Sequence, residues 1–358
     1  MEVEDYFRLM VDQKASDLFL KSGSRPSMRV DGKIRFIDSE ETTGAFCREV
    51  FRRIAGAELE QKMKGKELDL AAEVEGAGRF RVNVFNQRGN LGFVFRHIQS
   101  EIPSFEDLNL PARQLQHLSS LKRGLVLVTG VAGSGKSTTI ASMLEHINQT
   151  RNAHIVTIED PIEFVFENKQ CLVNQREVGL DTIDFVDALR EVVRQAPDVI
   201  MIGEMRDKET MEAAISAAET GHLVFSTLHT VNAVQTVERI ITFFPPHQHD
   251  LIRLQLSMVL QGVLSQRLLP KRQGHGRVPA LEILISSPTI KDILGEGRTQ
   301  ELYEALLEGD YYGSMTFNQS LKVLYMNELI SLEDAMNAAD NPDELKLEIR
   351  GISKGTKT

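Results

Sequence analysis

Cysteine is nearly absent from this chain. Only Cys47 and Cys171 occur, far apart and without CxxC spacing, which excludes a cysteine-built zinc cluster and makes a disulfide framework unexpected. A reducing cytosol is then the default compartment. Long apolar runs are also missing: nothing approaches the roughly eighteen to twenty residues that span a bilayer. The opening MEVEDYFRLMVDQ is acidic and amphipathic, unlike a signal peptide. Work at a membrane would depend on a partner. A positive excess is lacking too. The formal net charge of −10 argues against a general nucleic-acid binder, whose face must match phosphate backbones.

What is present is an ordinary globular composition, 42% hydrophobic and 26% charged over 358 residues, long enough for two domains. Residues 1–98 read as a small α/β domain. Val3, Phe7, Met10 and Val11 recur at helical spacing. SDLFLKSG reads as a strand, and SMRVDGKIRFID as a hairpin turning at Asp31-Gly32. Helical text is expected from about Thr43 to Lys64, then a second hairpin in GRFRVNVFNQRGNLGFVFRHI, where Phe80, Val82 and Val84 alternate with polar residues. Residues 99–112 carry two prolines and read as a linker. From 113 to 288, short apolar runs alternate with helical patterns, as in a parallel sheet with crossover helices. The runs are Leu125–Thr129, Ile155–Ile158, Val199–Ile202 and Leu223–Thr227. Asp207 suits an N-cap, and Gly221 a left-handed stop after Thr220. Residues 289–358 read as a helical segment with a frayed tail.

GVAGSGKSTT fits the phosphate-binding pattern G-x-x-x-x-G-K-[ST]. It comprises Gly130, Val131, Ala132, Gly133, Ser134, Gly135, Lys136, Ser137 and Thr138. An apolar strand runs into it and a helical pattern runs out. Glycines let backbone N–H groups close on phosphates at a helix N-terminus. Lys136 then reaches the β- and γ-phosphates, and the Ser137 hydroxyl can ligate Mg²⁺. ATP and Mg²⁺ are the expected cofactors. In an open α/β sheet ligands bind beyond the carboxyl ends of strands, so polar strand ends should converge here. HIVTIEDPIEF supplies Glu159, Asp160 and Glu163, DVIMIGEMRD supplies Glu204 and Asp207, and LVFSTLHT supplies His229. Glu159 or Asp207 alone is equally well a cap or surface charge. Glu204, directly after VIMIG, sits where a metal-handling or water-handling acid belongs. His222 and His229, flanking one strand, tip the reading from capping histidines towards function.

Together these motifs resemble the secretion ATPases of type IV pili and type II secretion, and more narrowly the PilT/PilU retraction branch. GVAGSGKSTT resembles the Walker A, TIEDPIEF the aspartate box, VIMIGEMRD an atypical Walker B built on a glutamate, and AETGHLVFSTLHT the histidine box. SDLFLKSGSRPSMRVDGKI resembles the opening of the family's N-terminal domain. The resemblance implies an α/β chain with a PAS-like N-terminal domain, a RecA-like P-loop ATPase core and a helical C-terminal segment. It implies a homohexamer that couples ATP hydrolysis to pilus retraction. It further implies an inner-membrane platform partner of PilC type, possible pairing with a paralogous retraction ATPase, and a cytoplasmic place at the inner face of the inner membrane. By carry-over, Arg81 and Arg96 would reach the nucleotide phosphates from the first domain; by themselves they read as solvated strand arginines. Glu204 and Glu163 are the candidates for Mg²⁺ or water handling. Arg194 and Arg206 read most simply as partners of nearby acids.

The chain also departs from the family pattern. Val131-Ala132 stand where Pro-Thr is usual, and Ala196 where an acid is frequent. The helix tied to retraction reads Thr289-Ile290-Lys291-Asp292-Ile293-Leu294-Gly295-Glu296, with Lys291 and Gly295 at the two arginine positions. Lysine does not copy arginine's planar fork. Three functions compete: a retraction motor, an accessory retraction ATPase beside a main motor, and a DNA-directed translocase, the last disfavoured by the acidic balance. A pilus-extension or secretion ATPase is a weaker alternative, because a four-cysteine insert is missing.

Overall fold

In a computed structural model, the structure describes residues 2–30, 32–37, 39–56, 67–98, 101–273 and 276–351. The chain divides into two units, each with its own sheet. The first unit holds residues 1–101 with 162–165, and the second holds 102–161 with 166–358.

The first unit is a six-stranded sheet of order β3-β2-β1-β6-β5-β4. Its strands are β1 (Asp17–Lys21), β2 (Ser27–Val30), β3 (Lys33–Phe36), β4 (Leu68–Val74), β5 (Gly78–Gln87) and β6 (Asn90–Ile98). Every pairing is antiparallel. Alternation puts Phe80, Val82, Val84, Phe93 and Phe95 on one face, all fully buried. Helices Val3–Asp12 and Gly44–Ala55 contribute to the core of that face. The Phe7 ring lies 4.6 Å from Phe80 and 5.0 Å from Phe95. The second helix is capped by the Thr43 hydroxyl accepting from Phe46 N–H, and stops at Gly56, whose φ of +76° ends it. The sequence reading continued this helix to Lys64; residues 57–66 lie outside the described set. Asp31 and the last residues of the tail lie outside it as well. Strand β4 was not foreseen.

The second unit is a seven-stranded sheet of order β13-β12-β7-β11-β10-β8-β9. The strands are β7 (Gly124–Thr129), β8 (His154–Glu159), β9 (Leu172–Glu177), β10 (Val199–Ile202), β11 (Leu223–Leu228), β12 (Leu260–Pro270) and β13 (Arg277–Ile285). All pairings are parallel except β12 with β13. The central strands are apolar on both faces, so one core forms on each side. Leu125 and Leu127 join the core with helices Phe185–Val192, Lys208–Glu219, Ala233–Thr242, His249–Val259 and Pro288–Glu296. Val126 and Val128 join the core with helices Ala112–Ser120 and Lys136–Thr150. Fully burying each such side chain stabilises the fold by roughly 1.5–3 kcal/mol.

Two boundaries differ from the sequence reading. Phe105 and Leu110, in the expected linker, are buried in the second unit's core. The C-terminal helices do not stand apart either: Phe317, Leu321 and Leu345 share a core with Leu269 and Val278 of the β12–β13 hairpin.

Candidate functional site

The sheet order dictates what meets the glycine-rich turn. β7 lies between β12 and β11, and β10 lies next to β11. Because these strands are parallel, their carboxyl ends open on the same edge. The turn Gly130–Gly135 joins β7 to the helix Lys136–Thr150. Gly130 has φ +143° and Gly135 φ +91°. A Cβ on Gly130 would lie 2.5 Å from the Gln266 carbonyl oxygen, and one on Gly135 2.8 Å from Gln266 Nε2. Both positions therefore favour glycine for conformation, and Gly130, against a backbone oxygen, requires it for space as well. Val131 stands out into solvent, the Ser134 side chain is buried, and its Oγ has no hydrogen-bond partner among the described residues.

Lys136 is buried, and its Nζ donates to the carbonyls of Gly130 at 2.8 Å and Val131 at 3.1 Å. The third direction of the ammonium faces His229 Nδ1 at 3.4 Å. The other ring nitrogen, Nε2, lies 3.0 Å from Glu204 Oε1. Glu204 Oε2 accepts from Arg206 Nε at 2.9 Å. One tautomer satisfies this chain: His229 with its proton on Nε2 donates to Glu204 and accepts from Lys136. Lys136 opens the helix that follows β7, while His229 and Glu204 follow the ends of β11 and β10, so the histidine after the middle strand spans the gap.

Hydrogen bonds along the strand ends hold this line in place. Thr227 Oγ1 donates to the Gly203 carbonyl at 2.7 Å, and Met205 N–H to the Thr227 carbonyl at 3.2 Å. On the other side Thr129 Oγ1 contacts Ser265 Oγ at 3.0 Å, and Thr139 Oγ1 donates to Gln266 Oε1 at 2.8 Å. Ser265 and Gln266 were missed by sequence reasoning because β12 was not recognised. The text VLSQRLL has no period-two alternation that would have signalled the strand.

The remaining candidates are spread out. Glu159 is buried at the end of β8, where Oε1 accepts from Thr157 Oγ1 at 2.6 Å and Gln175 Nε2 at 3.2 Å. Asp160 is exposed, and Glu163 is exposed on the short stretch that belongs to the first unit. Asp207 caps the helix Lys208–Glu219, accepting from Thr210 N–H at 2.8 Å. Arg194 pairs with Glu191 at 3.6 Å, both exposed. His222 stands apart from His229. It precedes β11, whereas His229 follows it, so a strand of about 20 Å separates them. Its Nδ1 lies 2.9 Å from the Ala217 carbonyl and 3.3 Å from Thr220 Oγ1, which is a helix-end cap. Arg81 and Arg96 lie on β5 and β6 of the first unit, paired across the sheet.

The donor set suits a nucleotide with its metal. Mg²⁺ takes few protein oxygens and fills its shell with phosphate and water. Among the described residues no group of three or more His, Cys, Asp or Glu is arranged to hold a metal alone. The Ser137 hydroxyl and the Glu204 carboxylate are the residues that would hold it beside phosphates.

The profile of the type II/IV secretion system protein family matches residues 3–308. The type IV pilus retraction ATPase PilT of Pseudomonas aeruginosa is 44% identical over 347 residues, which cover 96% of this chain and 99% of that protein. The type IV pilus ATPase PilU of the same organism is 42% identical over 354 residues, covering 98% of this chain and 92% of that protein. A crystal structure of the pilus retraction motor PilT with bound ADP superposes with a TM-score of 0.89 at 46% identity, covering 97% of this chain and 99% of that one.

Proposed function

The chain belongs to the type II/IV secretion system protein family, and from that premise we propose that it is a hexameric ATPase coupling ATP hydrolysis to type IV pilus retraction. The observation that carries this reading is the line Lys136–His229–Glu204, from a helix start to two strand ends, at a turn where Gly130 has no space for a Cβ. The first unit is read as PAS-like and the second as a RecA-like core.

In this reading Lys136 exchanges its carbonyl bonds for β- and γ-phosphate oxygens. The Glu204 carboxylate orients or deprotonates the attacking water. His229, bonded to both, couples the state of one to the position of the other. Ser137 and Glu204 would hold Mg²⁺, which would supply neutralising charge to the phosphate oxygens. Glu163 is a second acid for water or metal, and Glu159 and Asp160 frame the neighbouring strand end. Arg81 and Arg96 are kept as the candidates that the family resemblance offers for positive charge on the phosphates. No helix among the described residues is long and apolar enough to cross a membrane. The proposed place of work is the cytoplasmic face of the inner membrane, held there by a PilC-like platform protein.

A second reading is favoured by the PilU match over 98% of this chain: an accessory ATPase working beside a main retraction motor. Steady-state hydrolysis and particle mass of the purified chain, with and without Mg-ATP, test the motor reading. A six-subunit particle that hydrolyses ATP is expected; a monomer without turnover in every nucleotide state refutes it. Deletion of the gene separates the two readings, since retained retraction supports the accessory role.

A further inference from the structure

The His229 side chain is 51% exposed, so packing does not hold the ring. Its place depends on two polar contacts, to Lys136 and Glu204, and on the backbone beneath it. Residues 229–232 join β11 to the helix Ala233–Thr242. Bonds within this segment tie it to its own helix. The Asn232 side chain accepts from Gln235 N–H at 2.8 Å, and Thr236 Oγ1 donates to the Asn232 carbonyl at 2.7 Å. Thr230 Oγ1 lies 2.7 Å from Thr236 Oγ1. These bonds fix the loop to the helix, but not the helix to the sheet.

The first turn of that helix meets the sheet through Glu282. This residue of β13 is 3% exposed, and its Oε1 accepts from Ala233 N–H at 2.7 Å. Ala233 is fully buried, so its N–H depends on this acceptor. Val237 and Ile240 of the same helix pack into the core. Apolar packing is non-directional, whereas a hydrogen bond sets a distance and an angle. The register places Glu282 opposite Ser265, so both project from one face of the sheet. Ser265 Oγ lies 3.0 Å from Thr129 Oγ1, on the residue before Gly130. The β12–β13 hairpin therefore grips both the approach to the glycine turn and the start of the helix after His229. The nearby Arg267 is engaged elsewhere: it donates to Asp340 Oδ1 and to the Ala338 carbonyl, both at 2.6 Å.

We infer that Glu282 is a positioning residue for the hydrolysis reaction: its carboxyl oxygen sets the first turn of the helix after His229, and so keeps the imidazole between Lys136 and Glu204. This rests on the proposed function, in which Lys136 meets phosphate and Glu204 handles water. The role requires an acceptor oxygen at this reach from β13, not a negative charge, and an amide oxygen in the same place serves equally. Misplacing a reacting group by about 1 Å costs about a hundredfold in rate. The glycine turn and Lys136 belong to another strand and helix, so the loss should fall on kcat and not on KM.

The test uses the full chain in its assembled form and reads ATPase kinetics, melting temperature and particle mass. Glu282→Met removes the acceptor at similar side-chain volume. It is expected to lower kcat by about tenfold or more, with KM for ATP within about threefold. Glu282→Gln keeps the acceptor and should turn over within about twofold of the parent. Val237→Ala loosens the same helix without touching its first turn. It should lower the melting temperature and leave kcat at the parental value. His229→Ala should be slow, and adding Glu282→Met to it should cost nothing further. If Glu282→Met does not fold, Glu282→Asp replaces it, with the same loss expected because the shorter stem falls short of Ala233 N–H. No turnover by the parent would overturn the motor reading and the inference with it. With an active parent, unchanged turnover in Glu282→Met or in His229→Ala would overturn the inference alone. So would a slow Glu282→Gln, which makes charge the requirement, or a Val237→Ala as slow as Glu282→Met, which makes the effect one of stability. Losses that multiply in the double variant would overturn it too, because they take His229 out of the path.

Discussion

His229 Nε2 lies 3.0 Å from Glu204 Oε1 while its Nδ1 faces Lys136 Nζ at 3.4 Å. One imidazole thus touches both Lys136, proposed to bind phosphate, and Glu204, proposed to handle water. Glu204→Gln keeps the shape of that acid and removes its charge. Nucleotide binding should persist, while kcat falls by about a hundredfold or more. Single-turnover hydrolysis beside fluorescent-nucleotide binding measures both. Hydrolysis at the parental rate would show that Glu204 has no part in handling water.

Lys136→Ala removes the ammonium from the cradle. A hydrogen bond to a charged group contributes roughly 1.5–3 kcal/mol, so nucleotide affinity should fall about tenfold to a hundredfold. The carbonyls of Gly130 and Val131, which accept from Nζ at 2.8 and 3.1 Å, also lose their donor. Calorimetric titration with ADP gives the affinity, and an unchanged affinity would contradict the assignment of Lys136.

Gly130→Ala tests the cradle without touching a charge. The added Cβ would sit 2.5 Å from the Gln266 carbonyl oxygen and 2.6 Å from Ser134 Oγ. Backbone and a buried side chain must both move, at a cost of roughly 1–3 kcal/mol. Lower chemical-denaturation stability and lost nucleotide binding are expected together. Retention of both would mean that β12 yields easily.

How much of this was legible depended on how each strand is buried. β7, β8, β10 and β11 are apolar on both faces and bounded by turns, so their runs stood out. β9 lies at the sheet edge, with Leu172 52% exposed, and its text LVNQRE has no apolar stripe. β12 follows the helix His249–Val259 without an intervening residue, so apolar text runs from one element into the other with no punctuation. β13 contains Pro279, which an edge strand tolerates but which argues against a strand when read alone. β4, LDLAAEV, carries alanines that favour helix. The same blind spots hid Ser265 and Gln266. Spacing placed His229 and Glu204 on strand ends and set His222 at the opposite end of the strand that His229 follows; strand order then showed which ends lie side by side.

Gly295→Ala concerns the helix whose sequence departs from the retraction pattern. Gly295 lies inside the helix Pro288–Glu296, and the nearest atom to an added Cβ is Ser257 Oγ at 3.7 Å. That is ordinary contact, so no close approach requires glycine. Alanine should stabilise the chain by about 0.5–1 kcal/mol. A melting temperature that falls would reveal a constraint on this helix beyond its packing in one chain.

Glu282 gives the pH dependence. It is buried on β13, and its Oε1 accepts from Ala233 N–H at 2.7 Å, at the start of the helix that follows the His229 loop. Burial pushes its carboxyl up to about 7; the Ala233 N–H opposes this, Asp340 adds to it, and Arg267 opposes it. Tyr303 also lies within the field of Glu282. The ordinary value is 4.5. Between those two pH values the folded chain holds a proton that the unfolded chain has released. Stability from this group is therefore greatest below about 4.5, falls as pH rises towards 7, and is level above that. The full swing is about 3 kcal/mol. Glu282→Gln cannot ionise, so relative to the parent it should gain stability by up to that amount between pH 5 and pH 8. Urea unfolding at both values measures the difference. If the parent and Glu282→Gln change in parallel, the carboxyl is ionised throughout that range, and the ionised form is accommodated at the head of the helix without cost.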